Sequence, residues 1–161
     1  MSDTPDMPAE RAELETALTA LVAAVDDVDP TAAEEATARL NRDHPFDSAE
    51  VTRIFELCEH GLDAGWLAPH EAGAHVRFGR LAKDMGGYAI DAVIMENAKG
   101  RGHTHTRGEI NMCFPLNGEP RFDGHPPGWV VFAPGSHHVP TVTGGTMLFL
   151  YFTPGGAVVW D

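Results

Sequence analysis

Gly100 to Gly118 reads GRGHTHTRGEINMCFPLNG, and Gly128 to Pro140 reads GWVVFAPGSHHVP. The first stretch offers His103, His105 and Glu109; the second offers His137 or His138. Alternate side chains of an extended chain face the same way, so His103 and His105 point together while Thr104 points outward. Glu109 follows His105 by an even four positions, and a turn or bulge at Gly108 can re-aim it. Imidazole and carboxylate donors at this spacing converge on one divalent ion inside a small β-barrel.

The sequence around these stretches agrees with a barrel. From Gly65 onward, Gly and Pro punctuate short runs rich in β-formers, and the spacing predicts strands over 74–81, 88–96, 109–116, 128–133, 137–142, 146–152 and 157–160. Short strands set this close predict a sandwich or barrel, not a parallel sheet with crossover helices. Tyr88, Ile90, Ala92 and Ile94 alternate with Asp91 and Val93, which face the other way. Met147 to Phe152 is a continuous apolar run, as expected of a strand covered on both faces.

The N-terminal third is helical in pattern. Met1 to Met7 reads as a frayed end, and Pro8 suits a first helical turn. Leu14, Leu18, Leu21, Val22 and Val25 recur at three- and four-residue spacing, which makes one apolar stripe. Pro30 opens a second, Ala-rich helix to about Leu40. Asp47 and Glu50 have capping-box spacing and predict a third, with Val51, Ile54, Phe55, Cys58 and Leu62 on one face and Gly61 or Gly65 at its end. Such helices are expected to cover the barrel or make a dimer contact. The division expected is a helical segment over 1–68 and a barrel domain over 69–161.

Composition bounds the partners. The chain has 161 residues, 43% hydrophobic and 22% charged, with a formal net charge of −13. The acidity is concentrated: residues 1–63 hold 16 of the 24 Asp/Glu and 4 of the 11 Lys/Arg. That balance disfavours nucleic-acid phosphates and anionic membranes as partners. Cys58 and Cys113 sit in apolar patterns without a CxxC pair and read as buried thiols. No signal-peptide pattern opens the chain and no apolar run approaches ~20 residues, so the expectation is a cytoplasmic protein that binds a small molecule.

The motif pattern resembles the cupin superfamily. Its first motif, HxH followed by Glu and a later Gly, matches His103, His105, Glu109 and Gly118; its second matches Gly128, Pro134 and one of the paired histidines. The resemblance implies a double-stranded β-helix, or jelly roll, over about residues 75–160. It also selects His138 over His137 as the fourth ligand, because cupins with a PGSxHxP segment use the histidine after x. Three imidazoles and a carboxylate suit Fe, Mn, Ni, Co or Zn.

Within that superfamily, HTHTRGEIN (103–111), RFDGHPPGWVVFAPGSHHVPTVTGG (121–145) and LFLYFTPGGAVVW (148–160) resemble the bacterial 4-hydroxylaminobenzoate lyases of nitroaromatic degradation. The resemblance implies conversion of 4-hydroxylaminobenzoate, or a related aryl hydroxylamine, to 3,4-dihydroxybenzoate and ammonia, and it allows a homodimer. Glu109 is the candidate acid/base if weakly ligated, and His137 the candidate proton shuttle. The substrate carboxylate needs a cation, for which Arg107, Arg121, Arg77 and Arg80 are the candidates, with Phe114, Trp129, Phe132, Phe149 or Tyr151 as aromatic walls. Two alternatives compete: an Fe(II) cupin dioxygenase acting on a small aromatic or thiol substrate, and a non-catalytic ligand-sensing cupin.

Overall fold

The structure, a computed structural model, describes residues 8–161, so the expected frayed end at Met1 to Met7 lies outside the described residues. Three α-helices come first: α1 (Ala9–Asp26), α2 (Ala33–Asp43) and α3 (Ala49–Ala64). The strands follow as β1 (His70–Glu71), β2 (Val76–Met85), β3 (Tyr88–Glu96), β4 (His103–His105), β5 (Glu109–Phe122), β6 (Gly128–Phe132), β7 (Ser136–His138), β8 (Val142–Pro154) and β9 (Val159–Trp160). A six-stranded sheet has the order β1-β2-β3-β8-β5-β6, and a three-stranded sheet has the order β7-β4-β9, with every pairing antiparallel. This is the expected antiparallel β-barrel preceded by helices.

The apolar stripe of α1 is buried at the five expected positions, Leu14, Leu18, Leu21, Val22 and Val25. Helix starts differ from expectation in detail. Pro8 stands at the N-cap with ψ 140°, outside the first turn, and its carbonyl accepts the Ala12 N–H at 3.1 Å. Pro30 opens a 3₁₀ turn, Pro30–Ala32, before α2 begins, and the Asp29 side chain accepts the Thr31 N–H. The N-cap of α3 is Ser48, not Asp47: Ser48 Oγ accepts the Val51 N–H at 3.2 Å, while Glu50 turns to His44 Nδ1 at 3.1 Å. Both residue types cap well, so spacing alone left a one-residue ambiguity. Gly65, at φ 85°, ends the helix in the left-handed conformation.

Strand alternation splits the large sheet into two faces. Ile90, Ala92, Ile110, Met112, Phe114, Leu148, Leu150 and Phe152 pack with the helices in one core. Val93, Met95, Cys113, Met147, Phe149 and Tyr151 belong to a second cluster inside the barrel. Met147 to Phe152 is thus covered on both sides, as its unbroken apolar run requires. Cys58 and Cys113 are buried free thiols, and burial pushes the Cys58 thiol up to about 12. No helix among the described residues is long and apolar enough to cross a membrane.

Helix α2 also closes an open sheet edge. The outer side of β6 would leave backbone groups unpaired. Instead Trp129 N–H donates to Asn41 Oδ1 (2.9 Å), Asn41 Nδ2 donates to the Trp129 carbonyl (3.1 Å), and Val131 N–H donates to Thr37 Oγ1 (2.9 Å). The polar face of a helix here serves as the missing strand.

Two strand boundaries moved for physical reasons. The expected strand over 137–142 breaks at Pro140, which has no N–H to pair, so β7 stops at His138 and β8 starts at Val142. β5 runs past its expected end to Phe122 by absorbing register shifts between Pro115 and Asn117 and between Gly118 and Arg121.

Candidate metal centre

A cavity of about 530 Å³ opens between the inner face of the large sheet and the small sheet. Register places Arg80, Asp91, Tyr151 and Asn111 side by side across β2, β3, β8 and β5. Phe78, Val93 and Phe149 form the neighbouring row. All seven line the cavity, which therefore has one polar band and one apolar band on the same wall.

His103 and His105 project from β4, and His138 comes from β7, where it pairs with His103. One ring nitrogen of each lies within 4.8 Å of the others. His103 Nε2 is 3.1 Å from His105 Nε2, which is 2.9 Å from His138 Nε2. The other ring nitrogens explain this orientation. His103 Nδ1 lies 2.8 Å from the Arg101 carbonyl, and His138 Nδ1 lies 2.5 Å from Asp123 Oδ2. Both acceptors take a proton from Nδ1, which leaves the Nε2 lone pairs facing inward. Burial pushes the His103 imidazole below its ordinary value, against its bond to the Arg101 carbonyl, so the ring is neutral at neutral pH. Inward-facing neutral imidazoles are the donor set that a borderline divalent cation takes, and the residues fit such an ion.

Glu109 stands outside this convergence. β4 ends at His105 and β5 begins at Glu109, so the carboxylate arrives from the opposite sheet. The reversal runs through Gly108, at φ 85°, where a Cβ would meet the Phe132 carbonyl at 2.9 Å. Glu109 Oε2 comes to 2.7 Å from His105 Nδ1 but off the N–H direction, so that buried nitrogen makes no well-aligned hydrogen bond. Glu109 is 5% exposed and lines the cavity beside the three imidazoles.

The other anticipated residues separate. His137 pairs in register with Thr104, on the outward side of the small sheet, and its exposed ring reaches the Asp161 carboxylate at 2.9 Å. Among the four candidate arginines, only Arg80 lines the cavity, bonded to Asp91 through Nε (2.9 Å) and Nη2 (3.2 Å), while Arg77 donates to the Ala68 carbonyl. Arg107 is exposed in the turn between β4 and β5, and Arg121 is exposed and donates to the Gly124 carbonyl. Trp129 is buried on the helix side of the sheet, donating Nε1–H to the His44 carbonyl at 2.8 Å. It belongs to the core, not to the cavity wall.

Several residues around the cavity were not singled out from sequence. Asp91 and Asn111 are polar side chains on inward positions of otherwise apolar strands, a signal that was visible. Tyr151 lines the cavity too; burial, then the Asp91 and Glu109 carboxylates, push its phenol far up, so it stays protonated. Asp123 had a local signal, the Asp-Gly dipeptide, but nothing nearby in sequence points to His138.

A family model described as 4-hydroxylaminobenzoate lyase (PnbB) matches residues 16–160. A 4-hydroxylaminobenzoate lyase of Nocardioides sp. (strain LMS-CY) is 33% identical over 142 residues, covering 81% of this chain and 84% of the relative. One of Pseudomonas putida is 31% identical over 152 residues, covering 83% and 86%. Among solved structures, an RmlC-like cupin protein of Ralstonia eutropha JMP134 superposes with a TM-score of 0.46 at 15% identity, over 58% of this chain and 64% of that one.

Proposed function

The chain belongs to the 4-hydroxylaminobenzoate lyase family, and on that premise we propose that it is a metal-dependent lyase converting 4-hydroxylaminobenzoate, or a related aryl hydroxylamine, to 3,4-dihydroxybenzoate and ammonia. The observation that carries the metal dependence is the inward convergence of His103, His105 and His138 on the cavity. The overall reaction consumes one water and releases one ammonia, with no net change in oxidation state.

His103, His105 and His138 would hold the ion. When bound, it supplies Lewis acidity at the N–O oxygen of the substrate. Glu109 lines the same cavity and is the proton acceptor for the attacking water. Tyr151, a protonated phenol facing the cavity, donates a hydrogen bond to the departing hydroxyl. Arg80 sits in the polar band with its guanidinium already oriented by Asp91, and it clamps the substrate carboxylate. The apolar row of Phe78, Val93 and Phe149 supports the ring.

The test is turnover without oxygen. Metal-loaded protein given 4-hydroxylaminobenzoate anaerobically should form 3,4-dihydroxybenzoate and ammonia in equal amounts. Phenylhydroxylamine, which lacks the carboxylate, should bind more weakly, and Arg80→Met should erase that difference. Absence of both products from metal-loaded protein would reject the reading, and a strict requirement for O2 would replace it with a dioxygenase.

A further inference from the structure

Asp123 occupies the first central position of a tight turn between Phe122 and His125. Phe122 N–H donates to the His125 carbonyl at 2.9 Å, and His125 N–H donates back to the Phe122 carbonyl at 2.7 Å. Asp123 and Gly124 both have positive φ, 47° and 83°. That is the pattern of a type I′ hairpin turn, in which Asn, Asp and Gly are the residues tolerated at the first central position. The turn alone therefore accepts any of the three.

The side chain asks for more. Asp123 Oδ1 accepts the Thr141 N–H at 2.9 Å, and Asp123 N–H donates to the Thr141 carbonyl at 2.9 Å, which fixes the residue against the strand opposite. Oδ2 is then held 2.5 Å from His138 Nδ1. The carboxylate thus faces two donors at once, a backbone N–H and a ring N–H. An ionised carboxylate can accept from both, whereas a carboxamide has one oxygen and can serve only one of them.

We propose that Asp123 is a positioning residue that locks His138 in its Nδ1–H tautomer and so keeps the Nε2 lone pair directed at the ion. The assignment rests on the reading of His138 as a metal-holding residue. Its energetic logic is local. With Asn at this position, Thr141 N–H retains the oxygen and the NH₂ group confronts His138 Nδ1. The ring relieves the donor–donor contact by moving its proton to Nε2, which removes one lone pair from the centre. With Gly, the turn keeps its conformation and Nδ1 loses its acceptor without gaining an opposing donor.

The experiment uses the full chain, zinc as the probe metal and the pair Asp123→Asn and Asp123→Gly. Zinc affinity is measured by competition with a chromophoric chelator, and the His138 tautomer is read by long-range ¹H–¹⁵N NMR of metal-free protein near pH 8. Loss of such an outer partner typically weakens metal binding by about 10–100-fold. Asp123→Asn should show a loss in that range, with His138 converted to the Nε2–H tautomer. The thermal midpoint of the metal-free protein should stay unchanged, because Asn suits the turn. Asp123→Gly should show a smaller loss of affinity. Wild-type zinc affinity in both variants, or an unaltered Nδ1–H tautomer in Asp123→Asn, would overturn the proposal. Failure of the wild-type protein to take up zinc would instead strike the ligand reading beneath it, and the tautomer measurement would still decide the role of Asp123.

Discussion

His105→Ala is expected to abolish both stable metal binding and turnover, with kcat/KM falling on the order of a thousandfold, as expected from losing several kcal/mol of Lewis-acid stabilisation. His105 is the middle of the three imidazoles: its Nε2 is the atom that lies at hydrogen-bond distance from both His103 Nε2 and His138 Nε2. Removing it leaves only two imidazole donors, fewer than a protein site normally uses to hold such an ion. The fold should survive, since His103 and His138 keep their Nδ1 partners. Metal content by mass spectrometry, activity and a thermal melt on the same preparation check this. Retention of bound metal at one ion per chain would contradict the assignment of the centre.

Trp129→Ala is expected to cost about 3–5 kcal/mol of stability, the usual range for deleting a buried large aromatic. Trp129 is 1% exposed, stacks with Phe152 at 6.4 Å, meets Phe46 edge-on and ties the sheet to the end of α2 through His44. Its truncation opens a cavity between sheet and helices and leaves the His44 carbonyl without that donor. Because the indole lies on the far face of the sheet from the cavity, KM should not move in the fraction that remains folded. Urea denaturation and steady-state kinetics together test the point. A raised KM with near-normal stability would return Trp129 to the substrate wall.

Trp129 also shows where sequence reading stops. Aromatic residues flanking a metal motif look alike whether they face a ligand or a helix, and only the pairing of β6 with β5, and of α2 with β6, separates the two. The same limit applied to the arginines. Arg80, Arg107 and Arg121 were equivalent as charges, and the cavity wall was decided by the register of β2 against β3. What depended on local periodicity was legible: the stripe of α1, the two-faced run from Met147 to Phe152, and the parity that sends His103 and His105 one way. At Glu109 parity is not what brings the side chain in: the chain changes sheets at Gly108, and the carboxylate reaches the same cavity from the opposite wall. Asp123 was illegible for a related reason: its Asp-Gly turn could be read, but its bond to His138 spans a fold-level contact. Resemblance supplied what periodicity did not, preferring His138 to His137, and the outward pairing of His137 with Thr104 now gives a physical ground for that preference.

The most direct test of a metal-centred lyase is a metal titration of the stripped protein. Divalent ion is added stepwise to chelator-treated protein under anaerobic conditions, and dihydroxybenzoate formation is followed after each addition. Activity should be absent at the start, rise linearly and break at one ion per chain, and the same titration of His105→Ala should stay flat. Full turnover by protein shown to be free of metal would contradict the account.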